Sequence, residues 1–314
     1  MGLRAVPGRS RPRVGLVLGA GGVLGAAWMT GALPALQERL PCPLDDVDLI
    51  VGTSAGSVLA AALRCGITID QMIAHQRGEP IGPLAASAVD QLTGGPWPPA
   101  PQLRLGSARL MLAMLVAPHR VHPGVLASAW LPLGRANHGP LREMVHALHC
   151  HAYGLPPSAE PPAWVRGETW VVAVDYGSGR RAVFGRPGAP PAQLADAVVA
   201  SCSIPGWYQP AVIGGRRYVD GGVRSSDNAD LAAGAERITI ISPIGYNPAL
   251  PSALPLRDVV ATLREAGSAV TVLTPDAASV VAIGANPLDP ATRTPAARAG
   301  RAQGVAGLAA NAAP

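Results

Sequence analysis

Ser54 stands at the centre of the segment Gly-Thr-Ser-Ala-Gly, residues 52–56, and is the first candidate for chemistry in this chain. The apolar run at 49–51 predicts a buried strand before it, and the alanine-rich run after it predicts a helix. A serine in such a strand–turn–helix is typical of a nucleophile elbow, which holds the hydroxyl exposed at the positive end of the helix. Gly52 and Gly56 leave room for the sharp turn. The segment therefore predicts a nucleophilic serine.

A glycine-rich turn upstream of Ser54 suits the same chemistry. Residues 13–18 predict a strand, residues 26–40 predict a helix, and the turn from Gly19 to Gly25 joins them. A turn of this kind leaves backbone N–H groups free to hold an anion. In an acyl-transfer enzyme, the anion would be the oxygen of the tetrahedral intermediate, and the turn would be its oxyanion hole.

Asp220, the first residue of Asp-Gly-Gly at 220–222, is the candidate base. None of the seven histidines follows residue 151, so the order serine, acid, histidine of an α/β-hydrolase triad is not available. A Ser–Asp dyad remains. Because the reference pKa of aspartate is about 3.9, such a base needs partial burial, which raises the pKa, and a direct hydrogen bond to Ser54.

Three blocks now stand in order: GAGGVLG at 19–25, GTSAG at 52–56 and DGG at 220–222. In these blocks, and in the run from 200 to Asp220, the chain resembles the patatin-like phospholipases. The resemblance covers residues 13–245 apart from 80–165. It implies a three-layer α/β/α fold with a mostly parallel central sheet and a helical insertion. It also implies that Ser54 and Asp220 hydrolyse carboxylic esters of lipids or phospholipids.

The resemblance further implies that Gly21 and Gly22 supply the oxyanion-hole N–H groups. The family's loop usually has glycine where Ala20 stands and arginine or lysine where Leu24 stands, so Leu24 removes a cation near the expected oxyanion site. The other glycines of the three motifs are Gly19, Gly25, Gly52, Gly56, Gly221 and Gly222.

Composition indicates a globular protein without a nucleic-acid partner. All 25 basic residues are arginine and the net charge is +5, a modest excess. The four cysteines are scattered and predict reduced thiols, and the cluster at 146–151 predicts a polar helix end; we therefore expect no metal or other cofactor. Residues 14–37 carry no charge, but six glycines and Pro34 argue against a membrane span. We expect a cytoplasmic protein with at most transient contact with a membrane surface; its oligomeric state stays open.

The chain divides into three regions on this interpretation. Residues 1–12 predict a disordered basic arm, and 13–284 predict the hydrolase domain, with 66–167 as a helical insertion or lid. The segment 285–314, rich in Ala, Gly and Pro and without clear periodicity, predicts a loose tail. The middle region is the natural place for an apolar tunnel that accepts an acyl chain.

Two other functions compete with hydrolysis. The glycines at 19 and 21 after a strand imitate a dinucleotide-binding loop, but the second strand ends at 51–52 without the acidic residue such a site needs. A catalytically weak regulator or scaffold with the same fold stays open.

Overall fold

The computed structural model describes residues 13–79, 81–82, 99–100, 102, 104–116, 121–245 and 255–310. The strands within these ranges are β1 (Val14–Leu18), β2 (Leu49–Thr53), β3 (Glu168–Asp175), β4 (Arg181–Phe184), β5 (Ala211–Ile213), β6 (Arg216–Asp220), β7 (Arg237–Ile241) and β8 (Ala269–Leu273). The α-helices within them are α1 (Gly22–Gln37), α2 (Ala55–Arg64), α3 (Ile69–Gln76), α4 (Ala108–Val116), α5 (Pro123–Ala129), α6 (Gly139–Ala152), α7 (Leu194–Ser201), α8 (Leu256–Glu265), α9 (Ala277–Ile283) and α10 (Arg293–Ala310).

The strands form one mixed sheet whose centre is parallel. Successive hydrogen-bonded neighbours are β5, β6, β3, β2, β1, β7 and β8, and β4 pairs with β3. The pairs from β3 through β2, β1 and β7 to β8 are parallel, whereas β4 and β6 run antiparallel to β3. The central strands are buried apolar runs, as expected for a parallel sheet covered on both faces.

Two hydrophobic clusters cover the two faces of the sheet. Leu16 and Ile50 point into a large cluster with helices α1, α2, α6 and α7. Their neighbours Val17 and Val51 point the other way, into a cluster with α8 and the turn at 229–232. Successive strand residues face opposite sides, so the sheet has a helical layer on each face. The predicted three-layer α/β/α fold with a mostly parallel sheet is confirmed.

The prediction of a loose C-terminal tail was wrong. Residues 293–310 form α10, which packs along α1. A Cβ added to Gly31 would collide with the backbone oxygen of Ala297, and one added to Gly300 with that of Trp28. The helices are close because small residues line their contact. Hydropathy misses this pattern, since the residues that form the contact are not the large apolar ones.

The other regional predictions have mixed outcomes. The predicted arm at 1–12 lies outside the described residues, as does part of the predicted insertion. The insertion's described part contains α3, α4, α5 and α6. The apolar run at 237–241 predicts a strand, and β7 confirms it. The helix predicted over 26–40 begins earlier, at Gly22, because the glycine turn itself opens the helix.

Candidate active site

Ser54 lies at the sharp turn between β2 and α2 and adopts a strained backbone conformation. Its φ of 52° and ψ of −121° are rare for a residue with a side chain. Glycine is required on both sides. A Cβ on Gly52 would lie 2.7 Å from the Cα of Ser57, and one on Gly56 would collide with the carbonyl of Leu18. The predicted strand–turn–helix around Ser54 is therefore present.

Strand register brings Asp220 to Ser54. Strand β4 occupies one edge of β3 at residues 171–174, so β2 and β6 must share the other edge. There β2 ends with Thr53 opposite Val172, and β6 ends from the opposite direction with Asp220 opposite Ala173. Two strand ends therefore meet head to head, and the residues that follow or close them become neighbours.

Ser54 and Asp220 are joined by a hydrogen bond. The serine hydroxyl donates to the Asp220 carboxylate, and the N–H of Gly222 donates to the same group at 2.7 Å. Burial raises the pKa of Asp220 to about 6, while these two hydrogen bonds oppose the rise by favouring the charged form. Both side chains are 5% exposed. A buried carboxylate of raised pKa in contact with a serine hydroxyl can accept its proton.

Ser201 fixes the turn from behind and was not found from the sequence. Its hydroxyl accepts the N–H of Ser54 at 2.8 Å and donates to the carbonyl of Val172 at 2.6 Å. It is the last residue of α7 and is fully buried. One hydroxyl thus ties the strained residue to β3. We call Ser54, Ser201 and Asp220 the catalytic edge, after the role proposed below for Ser54 and Asp220.

The glycine loop at 19–25 is held against the catalytic edge by backbone hydrogen bonds. The N–H of Gly56 donates to the carbonyl of Gly19 at 3.1 Å, and that of Ala20 to the carbonyl of Ser226 at 2.8 Å. Helix α1 starts directly at Gly22, so the first N–H groups of this helix have no acceptor within it. Gly22 has a φ of 62°, and a Cβ there would lie 2.7 Å from the carbonyl oxygen of Pro287.

The remaining motif glycines are explained by close packing. A Cβ on Gly21 or Gly25 would press on Pro243, at 2.6 and 2.9 Å, and one on Gly19 would collide with Asp227. One on Gly221 would lie 2.5 Å from the carbonyl of Val172, and one on Gly222 would lie 3.0 Å from the Asp220 carboxylate. The loop and the Asp-Gly-Gly turn are therefore fitted to their surroundings by backbone contact.

An apolar pocket opens beside Ser54. It encloses about 140 Å³ and opens to solvent at its mouth. Gly22, Ser54 and Ala55 line it, and Gly21 does not. We call six of its apolar lining residues the apolar wall: Leu59, Ala62, Met72, Leu141, Met144 and Leu148. Helices α2, α3 and α6 supply this wall, two of them from the predicted insertion.

His138 and Cys202 complete the pocket and were not predicted as site residues. His138 stacks on Tyr208 with ring centroids 3.8 Å apart, and both rings line the pocket. Burial lowers the pKa of His138 to about 4, so its imidazole is neutral near neutral pH. Cys202 contacts the Ser54 hydroxyl, and burial raises the pKa of its thiol, so it stays protonated.

Neither a metal site nor a membrane span emerges from the described residues. Within those ranges, no three His, Cys, Asp or Glu side chains come together in a way that could hold a metal ion. Among the helices described, none is both long and apolar enough to cross a membrane.

A three-layer α/β/α fold with a strained serine elbow after the central strand β2 defines the class of protein. The sequence profile of the Patatin-like phospholipase family matches residues 16–79 and 123–233, more than half of the chain. The chain belongs to this family. The unmatched stretch between the two segments falls within the predicted insertion, and the C-terminal helices lie beyond the match.

Two solved structures are similar to the chain at low sequence identity. VipD from Legionella pneumophila is 14% identical with a TM-score of 0.46, and the match covers 96% of this chain and 67% of that one. The type III effector ExoU is also 14% identical with a TM-score of 0.42, and the match covers 95% of this chain but only 53% of ExoU. No curated protein shows significant similarity to the sequence.

Proposed function

We propose that the protein hydrolyses carboxylic esters of lipids or phospholipids with a Ser54–Asp220 dyad. The observation that carries this proposal is the hydrogen bond from the strained, pocket-facing Ser54 to a buried Asp220 with a pKa of about 6. Membership of the patatin-like phospholipase family supports the substrate class. The chain spans about half the length of ExoU. The proposed activity therefore concerns this chain alone and is argued from its own residues.

The reaction begins when Ser54 attacks the ester carbonyl. The new bond joins the serine oxygen to the carbonyl carbon while Asp220 accepts the serine proton. The tetrahedral intermediate then expels the alcohol, which takes the proton from Asp220, and leaves an acyl-serine. A water molecule attacks this acyl group, Asp220 takes the water's proton and returns it to Ser54, and the fatty acid leaves.

The oxyanion of both intermediates would lie between two helix starts. Gly21 and Gly22 open α1, and Ala55 opens α2 directly after the nucleophile. Gly22 and Ala55 line the pocket, which favours their N–H groups as donors. Gly21, packed against Pro243, would act by presenting the peptide N–H of its neighbour. Donors of this kind each contribute about 10²–10³ in kcat.

The family usually has arginine or lysine where Leu24 stands, and in this chain another residue supplies a positive charge at the pocket. Leu24 is 1% exposed and belongs to the hydrophobic core, so position 24 contacts no substrate in this chain. Arg293, the first residue of α10, lines the same pocket as Gly22 and Ser54. The positive charge at the pocket thus comes from a segment beyond the family match.

Covalent labelling tests the proposal. A fluorophosphonate probe reacts only with an activated serine, so we expect it to label the wild type at Ser54, located by peptide mass spectrometry. Ser54→Ala should remove the label and abolish hydrolysis of p-nitrophenyl acyl esters. Ser128→Ala, which removes another buried hydroxyl that does not line the pocket, should do neither. An unlabelled wild type would favour the regulator or scaffold instead.

A further inference from the structure

The net positive charge of this chain comes from one segment. Residues 91–142 contain five arginines and not one aspartate or glutamate. The rest of the chain has 20 arginines and 20 acidic residues, so this segment accounts for the whole net charge of +5. A stretch of 52 residues without an acid attracts anionic partners, most strongly at low ionic strength.

The described part of this segment also exposes large apolar side chains. Backbone hydrogen bonds pair 102 and 104–106 with 131–133, including Gly106 N–H to the Leu131 carbonyl at 2.9 Å. On this ribbon, Leu105 and Trp130 are 52% exposed and Leu131 is 44% exposed. Arginines flank them. We call the following residues the basic apolar face: Arg104, Leu105, Arg109, Trp130, Leu131 and Arg135.

Further positive charge comes from β6. Arg217 donates to the carbonyl of Gly106 at 3.3 Å, which holds the β5–β6 hairpin against the ribbon. The acidic neighbour, Asp175, is held by the N–H groups of the following turn and by an ion pair with Arg216 at 3.1 Å. The basic apolar face therefore keeps its positive character.

The basic apolar face lies next to the pocket. A Cβ on Gly206 would lie 3.6 Å from the Cβ of Leu131, and the N–H of Ala136 donates to the carbonyl of Trp207 at 3.2 Å. Two residues later, His138 stacks on Tyr208 in the pocket wall. Only two residues separate Arg135 from His138, so their Cα atoms are at most about 11 Å apart.

We propose that the basic apolar face docks on an anionic lipid bilayer and brings the pocket to its substrate. The inference rests on the proposed function for its purpose, although docking can be measured without catalysis. Exposed leucines insert among the acyl chains, Trp130 suits the interface because one end of indole is apolar and the other is polar, and arginines attract the anionic head groups. An acidic protein partner would use the arginines but has no equal need for a row of exposed apolar side chains beside a lipid pocket.

Vesicle flotation of the Ser54→Ala protein tests docking with the substrate left intact. The probes are vesicles of phosphatidylcholine alone and of phosphatidylcholine with phosphatidylglycerol. We expect binding only to the anionic vesicles, weakening as salt rises from about 0.05 M to about 0.5 M. Each arginine near the surface contributes roughly five-fold to partitioning, so adding Arg104→Gln and Arg135→Gln should lower it about 25-fold. Adding Trp130→Ala instead should lower it by about ten-fold, through lost apolar burial.

Matched variants separate local docking from total charge. Arg39 and Arg237 are also exposed, but they lie where α1 ends and β7 begins, at the end of the sheet where the parallel strands start, whereas Ser54 follows the far end of β2. Arg39→Gln with Arg237→Gln removes the same charge and should leave binding within two-fold, on the scale set by about five-fold per contacting arginine. Val281→Ala, at an 81% exposed site beyond β8, is the control for Trp130→Ala.

Three results would overturn the proposal. They are equal binding to neutral and anionic vesicles, equal losses in the two arginine pairs, and no binding to either vesicle. The last would favour an acidic protein partner. Thermal melts by circular dichroism, expected to be alike for all variants, show that a loss is not unfolding. If the Ser54→Ala protein docks while the wild type hydrolyses no ester, the proposed function fails and the docking surface stands.

Discussion

The catalytic edge and the apolar wall meet at one pocket, which Ser54 and the wall residues line, but they are built by different means. In the catalytic edge, each position is fixed by hydrogen bonds to backbone: Ser54 N–H to Ser201, Ser201 to Val172, and Gly222 N–H to Asp220. In the apolar wall, positions are fixed by side-chain packing between helices α2, α3 and α6. Directional bonds hold a reacting atom in one place, whereas packing defines only a volume.

This difference predicts two kinds of response to mutation. Changes in the catalytic edge should lower the rate for every substrate, because they touch atoms common to all esters. Changes in the apolar wall should alter the choice among acyl chains, because they alter the space available. The following variants test this contrast.

Asp220→Asn should give the largest effect. Asparagine keeps the shape but cannot accept the serine proton, so we expect kcat to fall at least about 10²-fold for short and long esters alike. Steady-state kinetics on p-nitrophenyl butyrate and laurate measure this. Asp196→Asn, which breaks a surface ion pair with Arg142, is the control and should keep its activity.

The raised pKa of Asp220 also predicts how the stability of the Asp220→Asn variant compares with wild type at different pH values. A carboxyl whose pKa rises on folding, here from 3.8 to about 6, binds its proton more tightly in the folded state. Stability therefore falls as pH rises between those values and stays lower above about 6, by about 3 kcal/mol. Asp220→Asn should thus be more stable than wild type at pH 8 but not at pH 4, in urea denaturation. The wild-type rate should decline as pH falls through about 6. A variant that is inactive and also less stable at pH 8 would contradict this account.

Ser201→Ala should lower both stability and rate. The change leaves the buried N–H of Ser54 and the carbonyl of Val172 without this partner, at a cost of about 1–3 kcal/mol. Because Ser201 positions the nucleophile and does not touch substrate, kcat should fall about ten-fold, the equivalent of about 1.4 kcal/mol, with KM little changed. Ser201→Thr retains the hydroxyl and should recover most of the rate. Equal losses in both variants would show that volume matters there, not the hydroxyl.

Ala62→Leu should separate the wall from the edge. Ala62 lies eight residues after Ser54 on α2, about 12 Å along the helix, and lines the pocket. The larger side chain should leave kcat/KM for butyrate unchanged and lower it for laurate. Each methylene kept out of the pocket costs about 0.8 kcal/mol, so two would lower kcat/KM about 15-fold. An equal loss of kcat/KM for both esters would show that the apolar wall and the catalytic edge do not act separately.

His138→Gln should have the smallest effect. With a pKa of about 4 its imidazole is neutral and carries no proton to donate as a cation near neutral pH. We expect kcat on p-nitrophenyl butyrate to fall by much less than the roughly 10²-fold loss that marks removal of a general base. His151→Gln, at an exposed site on the same helix, is the matched comparison. A loss of kcat as large as that of Asp220→Asn would indicate a triad that includes His138 and not a Ser–Asp dyad.

Much of the fold and part of the site could be predicted from the sequence. The elbow is encoded locally: an apolar run, two glycines around a serine and an alanine-rich helix are enough, because the sharp turn excludes other side chains. The strands at 169–174, 181–184 and 237–241 follow from short apolar runs between turn residues. Asp220 was found by its motif, but its raised pKa depends on burial that no local pattern carries.

Long-range contacts explain what was missed. Ser201 looked like an ordinary helix-end serine, and only its place behind the elbow gives its hydroxyl two partners. The tail looked loose because its residues are small, yet small residues let α10 lie close to α1 and bring Arg293 to the pocket.

By itself, the sequence determined the chemistry that depends on neighbouring residues: a serine held at the start of a helix and a glycine turn that opens another. Only the tertiary structure decided which groups meet. Ser54 and Asp220 are 166 positions apart and become neighbours because β2 and β6 end head to head on the same edge of β3. That register is set by pairing among distant strands and by packing on both faces of the sheet, which are properties of the whole fold and of no single segment.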